Sequence, residues 1–320
     1  MLEGFSRLVL NLYRGCQTVP AHEFQNWALE QIKTVFPFYS GVWLTGWVRN
    51  CEYAVHTLHY YNQPRRILED FDRVDPKERH VLNGRAFQNP GITFRCVAAD
   101  EFSPALLAHC RRFHVEHLMP TWSVEPISGL GEMISLHRSD AERPFTEDEG
   151  RFQQSLVPHL AETWRICRMK KMLSDMPFPN GRSSGAAAVD VKHVLHLVDP
   201  GFIQLMQQEW PDWRGPHVPA ELAASLARGE AHFVGNTLVI GSLPLNDLTI
   251  LRVRSKAKVD SLSRREREVA KLFAAGQTNK EIARSLLLSP ATVRNHLTAA
   301  YTKLDVNNKV GLLEVLKEFG

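Results

Sequence analysis

The chain has 320 residues, of which 44% are apolar and 23% charged, and its formal net charge is +3. This composition is typical of a folded protein with two or three domains and excludes extensive disorder. No run of about 18 apolar residues occurs, which excludes a membrane-spanning helix. The first residues lack the basic start and the cleavage site of a secretory signal, so we expect a cytoplasmic protein.

The first half of the chain alternates helical and extended patterns, as in the sensor layer of an α/β protein. Aromatic and β-branched residues predict the strands, and apolar residues at helical spacing predict the helices. A capping Asp75 followed by Pro76 predicts that the third helical stretch restarts there. The predicted helices are 22–35, 68–89, 102–114 and a long one from Glu147, and the predicted extended segments are 40–48, 53–61, 91–97, 120–126 and 131–137.

The long helix has apolar residues every three to four positions, which suits either packing on the sensor or a dimer seam. We expect a homodimer held by Leu160 and Trp164 of this helix and by Leu312 and Leu316 near the C-terminus. Pro158 lies within the pattern and predicts a kink or a fresh helix start.

A stretch rich in Pro, Gly and Ser, residues 174–188, reads as a linker after a first domain at 1–173. Residues 189–254 then give a strand, helices and two further strands, which predicts a small α/β module. Residues 255–320 form the last predicted domain.

From Arg252 to Gly320 there are 14 Lys and Arg but 7 Asp and Glu, a net of +7, so residues 1–251 carry −4. A basic end on an acidic body suits phosphate binding by the last domain only.

The last domain contains three short helices that can be read from their caps. Ser263 with Glu266, and Thr278 with Glu281, are capping boxes, and Ser289 is a cap followed by Pro at the first helical position. In the third helix, apolar residues at 293, 297, 300 and 304 share one face. At about 100° per residue the opposite face presents Arg294, Asn295 and Thr298. These donors and acceptors can bond base edges in a major groove, which predicts a helix-turn-helix.

The order and spacing of TNKEIA from Thr278, SPATVRNH from Ser289 and Lys303-Leu304 resemble the LuxR-type (GerE-like) DNA-binding domain. That resemblance implies a four-helix, all-α domain that binds double-stranded DNA as a dimer, with RNA polymerase as a candidate partner. It places Arg294, Asn295 and Thr298 at base-facing positions, although Thr298 stands where several members carry a basic residue. Near phosphates it places Thr278, Asn279, Lys280, Thr292 and Lys303.

Residues 20–170 resemble the GAF-like sensor domains found ahead of LuxR-type modules, and 189–254 weakly resemble a reduced PAS-like fold. The expected fold is therefore multidomain α+β. The aromatics that we expect to line a ligand pocket of the sensor, unless they are plain core, are Tyr39, Trp43, Trp47, Phe94 and Trp122.

We expect no metal and no cofactor. His114 and His117 lie near Cys110 and Glu116, but such histidines more often pack or face water. The five cysteines show no C-x-x-C spacing.

The sequence favours a DNA-binding transcriptional regulator controlled by a small-molecule sensor. Two alternatives stay open: a quorum-sensing-type regulator that binds an acyl-homoserine lactone, and an enzyme with a DNA-binding tail. Against an enzyme, no nucleophile elbow, zinc-protease motif, phosphate loop or dinucleotide fingerprint occurs.

Overall fold

The first of two antiparallel sheets lies in the N-terminal region that the sequence predicted to be a sensor, which is called the sensor region below. The computed structural model of the chain describes residues 2–49, 52–71, 88–174 and 185–319. The first sheet has five strands in the order β2-β1-β5-β4-β3. Its strands are β1 Ser40–Arg49, β2 Glu52–Tyr61, β3 Cys96–Val97, β4 His117–Val124 and β5 Leu130–Arg138. The predicted strands are therefore present, except that only the end of the 91–97 run pairs as a strand. Most of the predicted 68–89 helix, including Asp75-Pro76, lies outside the described residues.

Helices cover both faces of this sheet because both faces are apolar. On one face, Trp43, Ile134 and Leu136 are buried in a core with two N-terminal helices and the long helix. On the other face, Leu118 packs with three short helices. The helices are α1 Leu2–Thr18, α2 Ala21–Lys33, α3 Arg66–Phe71, α4 Ala98–Glu101, α5 Pro104–Arg112 and α6 Glu147–Ser174.

The long helix α6 runs without interruption through Pro158, where the sequence predicted a kink or a fresh start. Its first half packs in the sensor core, where Leu156 and Leu160 are fully enclosed. Its last turns supply Met169 and Met172 to a separate core in the second sheet. One helix thus completes the cores of two modules.

The second sheet also has five antiparallel strands, in the order β7-β6-β10-β9-β8, so both sheets share one strand order. One face packs on α6, and the other packs on two helices of the module. The elements are β6 Gly185–Asp190, β7 Leu195–Val198, α7 Pro200–Glu209, α8 Ala220–Ala227, β8 His232–Val234, β9 Leu238–Leu245 and β10 Leu248–Ser255.

The predicted linker, residues 174–188, is wrong at its C-terminal end. Residues 185–188 are the first part of β6 and are buried. Their small side chains fit a strand that is enclosed on both faces. A Cβ on Gly185 would collide with the backbone of Phe202, so glycine is required where α7 crosses the strand. Small residues therefore mark close packing here rather than a flexible connection.

The C-terminal region is helical. A short 3₁₀ turn, Lys258–Ser261, leads into α9 Arg264–Ala274, α10 Asn279–Leu286, α11 Pro290–Leu304 and α12 Lys309–Phe319. Together with the two sheets, these helices give the multidomain α+β architecture that the sequence predicted. Within the described ranges, no helix combines the length and the hydrophobicity that crossing a bilayer requires.

Candidate nucleic-acid interface and sensor cavity

Helix α11 presents a polar face to solvent. Arg294, Asn295 and Thr298 are all exposed. The opposite face buries Val293 and Leu297, among others, against α9 and α10. Arginine, amide and hydroxyl groups on an exposed helix can reach base edges.

The helix starts around α11 are fixed by their own caps, as the sequence predicted. The Ser263 and Thr278 hydroxyls accept from the N–H groups of Glu266 and Glu281, whose carboxylates bond back to the cap residues. The Ser289 hydroxyl accepts a hydrogen bond from the backbone N–H of Thr292 and also bonds the side-chain hydroxyl of Thr292 at 2.8 Å. Because these bonds are local, each helix start is fixed by residues that lie next to it in the chain.

The residues expected near phosphates differ in their contacts: those at the start of α10 face solvent or are half-buried, whereas Lys303 contacts a carboxylate. Lys280 is exposed, and Thr278 is exposed at the start of α10. Asn279 is half-buried, and its Oδ1 has no hydrogen-bond partner among the described residues. Lys303 departs from the expectation, since its Nζ contacts both carboxylate oxygens of Glu266, at 3.0 and 2.8 Å.

The sensor region contains a cavity of about 300 Å³ between its sheet and helices α3 and α5. We call it the sensor cavity. Its walls are mostly apolar, with a few polar groups, as is usual for small-molecule sites. The lining includes Val42, Leu44, Tyr53, Val55, Leu58, Phe71, Leu106, His109, Cys110, Leu118, Trp122, Met133, Ser135 and His137.

Only Trp122 of the five predicted pocket aromatics lines this cavity. Trp43 is buried on the other face of the sheet, because Val42 and Leu44 on either side of it point into the cavity and side chains alternate along a strand. Tyr39 is 38% exposed, Trp47 is half-buried outside the cavity, and Phe94 packs in the core beside α5.

Burial keeps two polar groups of the sensor cavity, His137 and Cys110, uncharged at neutral pH. Burial lowers the pKa of His137 to about 4, and its two ring nitrogens bond the hydroxyls of Ser40 and Ser135, at 3.2 and 3.0 Å. Burial also raises the pKa of Cys110 to about 12. No Lys, Arg, Asp or Glu lines the cavity within the described part of the chain. The walls therefore suit an uncharged, largely apolar molecule.

None of the residues predicted to form a dimer seam is available on the surface. Leu160 and Trp164 are buried against α1, α2 and the first sheet. Leu312 and Leu316 are buried with α9 and α11. The seam prediction is therefore wrong for these four side chains, because the same spacing that suits a partner helix also suits the chain's own core.

No group of three or more His, Cys, Asp and Glu side chains in the described ranges is arranged to hold a metal ion. His117 lies on β4 and not on the helix that carries Cys110, and its Nε2 bonds the carbonyl oxygen of Ala141 at 3.0 Å. The described cysteines, Cys16, Cys96, Cys110 and Cys167, are buried thiols.

Comparison with known families identifies the helical region. The family described as "Bacterial regulatory proteins, luxR family" matches residues 260–316. The C-terminal region is a luxR-family domain. Helices α9 to α12 lie inside or overlap this match, so the exposed face of α11 belongs to the part of the chain that the family covers.

Curated relatives match short segments of this chain. YhjB, an HTH-type regulator of Escherichia coli K12, is 49% identical over 49 residues, which are 15% of this chain and 24% of that protein. The transcriptional regulatory protein DesR of Bacillus subtilis 168 is 38% identical over 64 residues, 20% of this chain and 32% of DesR. The chain thus spans a quarter to a third of the length of these relatives.

Two solved structures resemble the chain at low TM-score. SdiA of Escherichia coli aligns over 99% of this chain and 98% of its own, with 16% identity and a TM-score of 0.40. The phycoerythrobilin-bound GAF domain of a cyanobacterial phytochrome aligns over 52% of this chain and 97% of its own, with 12% identity and a TM-score of 0.36. Likeness at this level is too low to transfer a ligand from either protein.

Proposed function

We propose that this chain is a transcriptional regulator that binds double-stranded DNA through its luxR-family domain. The observation that carries the proposal is the exposed face of α11, where Arg294, Asn295 and Thr298 stand opposite a fully packed face. In this reading the three side chains bond base edges in the major groove, which gives sequence discrimination. Lys280, Thr278 and Thr292 contact phosphates, which gives affinity without discrimination.

We further propose that the sensor cavity controls this binding by holding an uncharged, apolar small molecule. The Ser135 hydroxyl, which bonds the neutral His137, can form a further hydrogen bond to one polar group of that molecule, and the apolar walls enclose the remainder. A ligand that binds one arrangement of the chain better than another shifts the population toward it.

A homodimer is the proposed DNA-binding form, since one small domain makes few phosphate contacts. The solvent-facing side of α12 is a better candidate for the dimer contact than the four buried residues that the sequence predicted to form the seam. Val310 is 63% exposed there, and Leu313 is half-buried. RNA polymerase remains a partner expected from the family resemblance alone.

Selection of duplexes from a random pool with the full chain, followed by fluorescence anisotropy titrations, tests the DNA-binding proposal. Arg294→Ala is expected to cost about 1–3 kcal/mol of discrimination between selected and scrambled duplexes. Lys280→Ala is expected to weaken binding to both duplexes equally. Arg151→Ala, which removes an exposed charge on α6, is the control and should change neither affinity. Equal losses on both duplexes for Arg294→Ala would contradict the base-facing assignment.

Mass spectrometry of small molecules retained by the purified chain tests the control proposal. Val55 is 41% exposed and lines the sensor cavity, so Val55→Trp is expected to fill the cavity without disturbing the core. The variant should lose the retained molecule and the change in operator affinity that this molecule causes. Retention that Val55→Trp leaves unchanged would place the molecule elsewhere and refute the control proposal, while leaving DNA binding by α11 untouched.

A further inference from the structure

A second cavity, of about 310 Å³, lies where the sensor sheet, helix α6 and the small module meet. We call it the junction cavity. It shares no lining residue with the sensor cavity. Its volume is at the lower end of the range for small-molecule sites. Val124 and Leu130 of the sensor sheet, Pro158 of α6, and Leu197 and Ile203 of the small module form apolar walls.

Arg168 of α6 brings a cation with unused hydrogen-bonding capacity to this cavity. Its Nη2 donates to the carbonyl oxygen of His196 at 2.9 Å, and this is its one hydrogen bond within the described ranges. Burial lowers the pKa of Arg168, yet a guanidinium stays charged in proteins. Its Nε, its Nη1 and the second N–H of its Nη2 therefore remain for a ligand.

Glu132 of β5 lines the same cavity and is 8% exposed. Its Oε2 accepts a hydrogen bond from the indole Nε1 of Trp43 at 2.7 Å, and no second bond to described residues engages the carboxyl group. Glu132 and Arg168 interact electrostatically, but no ion pair within 4.0 Å joins these two described side chains. Burial raises the pKa of Glu132 to about 8, so the carboxyl is mostly protonated at neutral pH.

The other charged groups around the junction cavity have partners of their own. Arg165 forms a bidentate pair with Glu162, at 2.9 and 2.6 Å. Glu125 accepts from two backbone N–H groups at the end of β4. The Nε2 of His196 lies 3.3 Å from a carboxylate oxygen of Asp190. Among the described lining residues, Arg168 is thus the cation that lacks a carboxylate contact.

We propose that the junction cavity is a binding site for a small carboxylate with a short apolar chain. The carboxylate accepts from the free N–H groups of Arg168 in the fork geometry that guanidinium favours. The Glu132 carboxyl group donates its proton to the second carboxylate oxygen, and the chain lies on the apolar walls. This site is additional to the sensor cavity, and its ligand would contact both modules at once.

The arrangement makes binding depend on pH in a defined direction. Below the pKa of Glu132 the site holds a cation and a neutral donor, which suits an anion. Above that pKa the ionised Glu132 repels the ligand carboxylate and compensates Arg168 itself, with Glu162 adding to the repulsion. Affinity should therefore fall by about tenfold or more between pH 6.5 and pH 9.5, where a simple carboxylate ligand stays ionised throughout.

Isothermal titration of the full chain with sodium hexanoate tests the proposal. We expect binding at pH 6.5, at least a tenfold weaker affinity in Arg168→Met, and little change in Arg165→Met, which removes the paired arginine of the same cavity. Glu132→Gln keeps an amide donor and should bind with similar affinity at both pH values. Hexanol and hexylamine are head-group controls that should bind far more weakly.

Two further variants keep the test decisive if Arg168→Met disturbs folding, which circular dichroism would reveal. Ala161→Phe fills the junction cavity and should abolish hexanoate binding, whereas Val55→Trp fills the sensor cavity and should leave it intact. Absence of hexanoate binding at pH 6.5 overturns the proposal. So does binding that Val55→Trp abolishes, or binding that hexanol matches.

Discussion

Replacing Leu160 by Ala separates a core role of helix α6 from a role as a dimer seam. Leu160 has no exposed surface and lies in the core with Trp43 and Trp164. The substitution removes three carbon atoms, worth about 2.4 kcal/mol of transfer free energy, and leaves a cavity as well. The expected loss in the free energy of unfolding is about 3–5 kcal/mol. A dimer, if one forms, should persist.

Urea unfolding of the full chain, followed by tryptophan fluorescence, measures this loss, because Trp43 and Trp164 report on the same core. Light scattering on the same samples gives the oligomeric state. Leu10→Ala, at a position that is 48% exposed on α1, is the matched control and should stay within about 0.5 kcal/mol of the parent. A Leu160→Ala chain that loses less than about 1 kcal/mol and turns from dimer to monomer would refute the core assignment.

Three more changes probe the second module and the luxR-family domain. Gly185→Ala should destabilise the module by about 1–3 kcal/mol, since its Cβ meets the backbone of Phe202, and a lowered melting temperature would register the loss. Thr278→Ala removes the hydroxyl that caps α10 and should cost about 1 kcal/mol, measured as a shift of the urea midpoint of the C-terminal transition. The hydrogen bond from Lys303 holds the pKa of Glu266 below its usual value, so its stabilisation is present above about pH 4.3 and is lost as pH falls through the folded-state pKa. Glu266→Gln should therefore be less stable than the parent at pH 7 and lose less stability on acidification, which urea midpoints at both pH values would check.

The luxR-family domain could be read from the sequence because its signals are local. Ser263, Thr278 and Ser289 each bond an N–H three residues ahead, so the cap and its partner are neighbours in the chain. The burial of Val293 and Leu297 follows from helical spacing in the same way. Lys303 was placed from the resemblance alone, and its contact with Glu266 spans 37 residues, which no local pattern reveals.

The faces of the sensor sheet could not be predicted because both are apolar. When a strand is buried on its two sides, alternation of apolar and polar residues disappears, and Trp43 and Leu44 look equivalent in the sequence. The pairing of β1 with both β2 and β5 decides which one faces the cavity. The apolar spacing of α6 was equally ambiguous, because packing in the chain's own core and packing against a partner helix both require one apolar face. No local sequence pattern predicts that Glu132 is buried, because its burial depends on elements that are distant along the chain.

The sharing of α6 between two cores has a mechanical consequence. A helix of 28 residues is about 42 Å long, so a tilt of about 5° at one end displaces the other end by about 4 Å. Met169 and Met172 pack at that far end against Ala186 and Ala188 of β6. A change in the packing of the sensor region on the first half of α6 therefore produces a larger displacement at the second sheet. Breaking the helix would leave the cores of both modules incomplete.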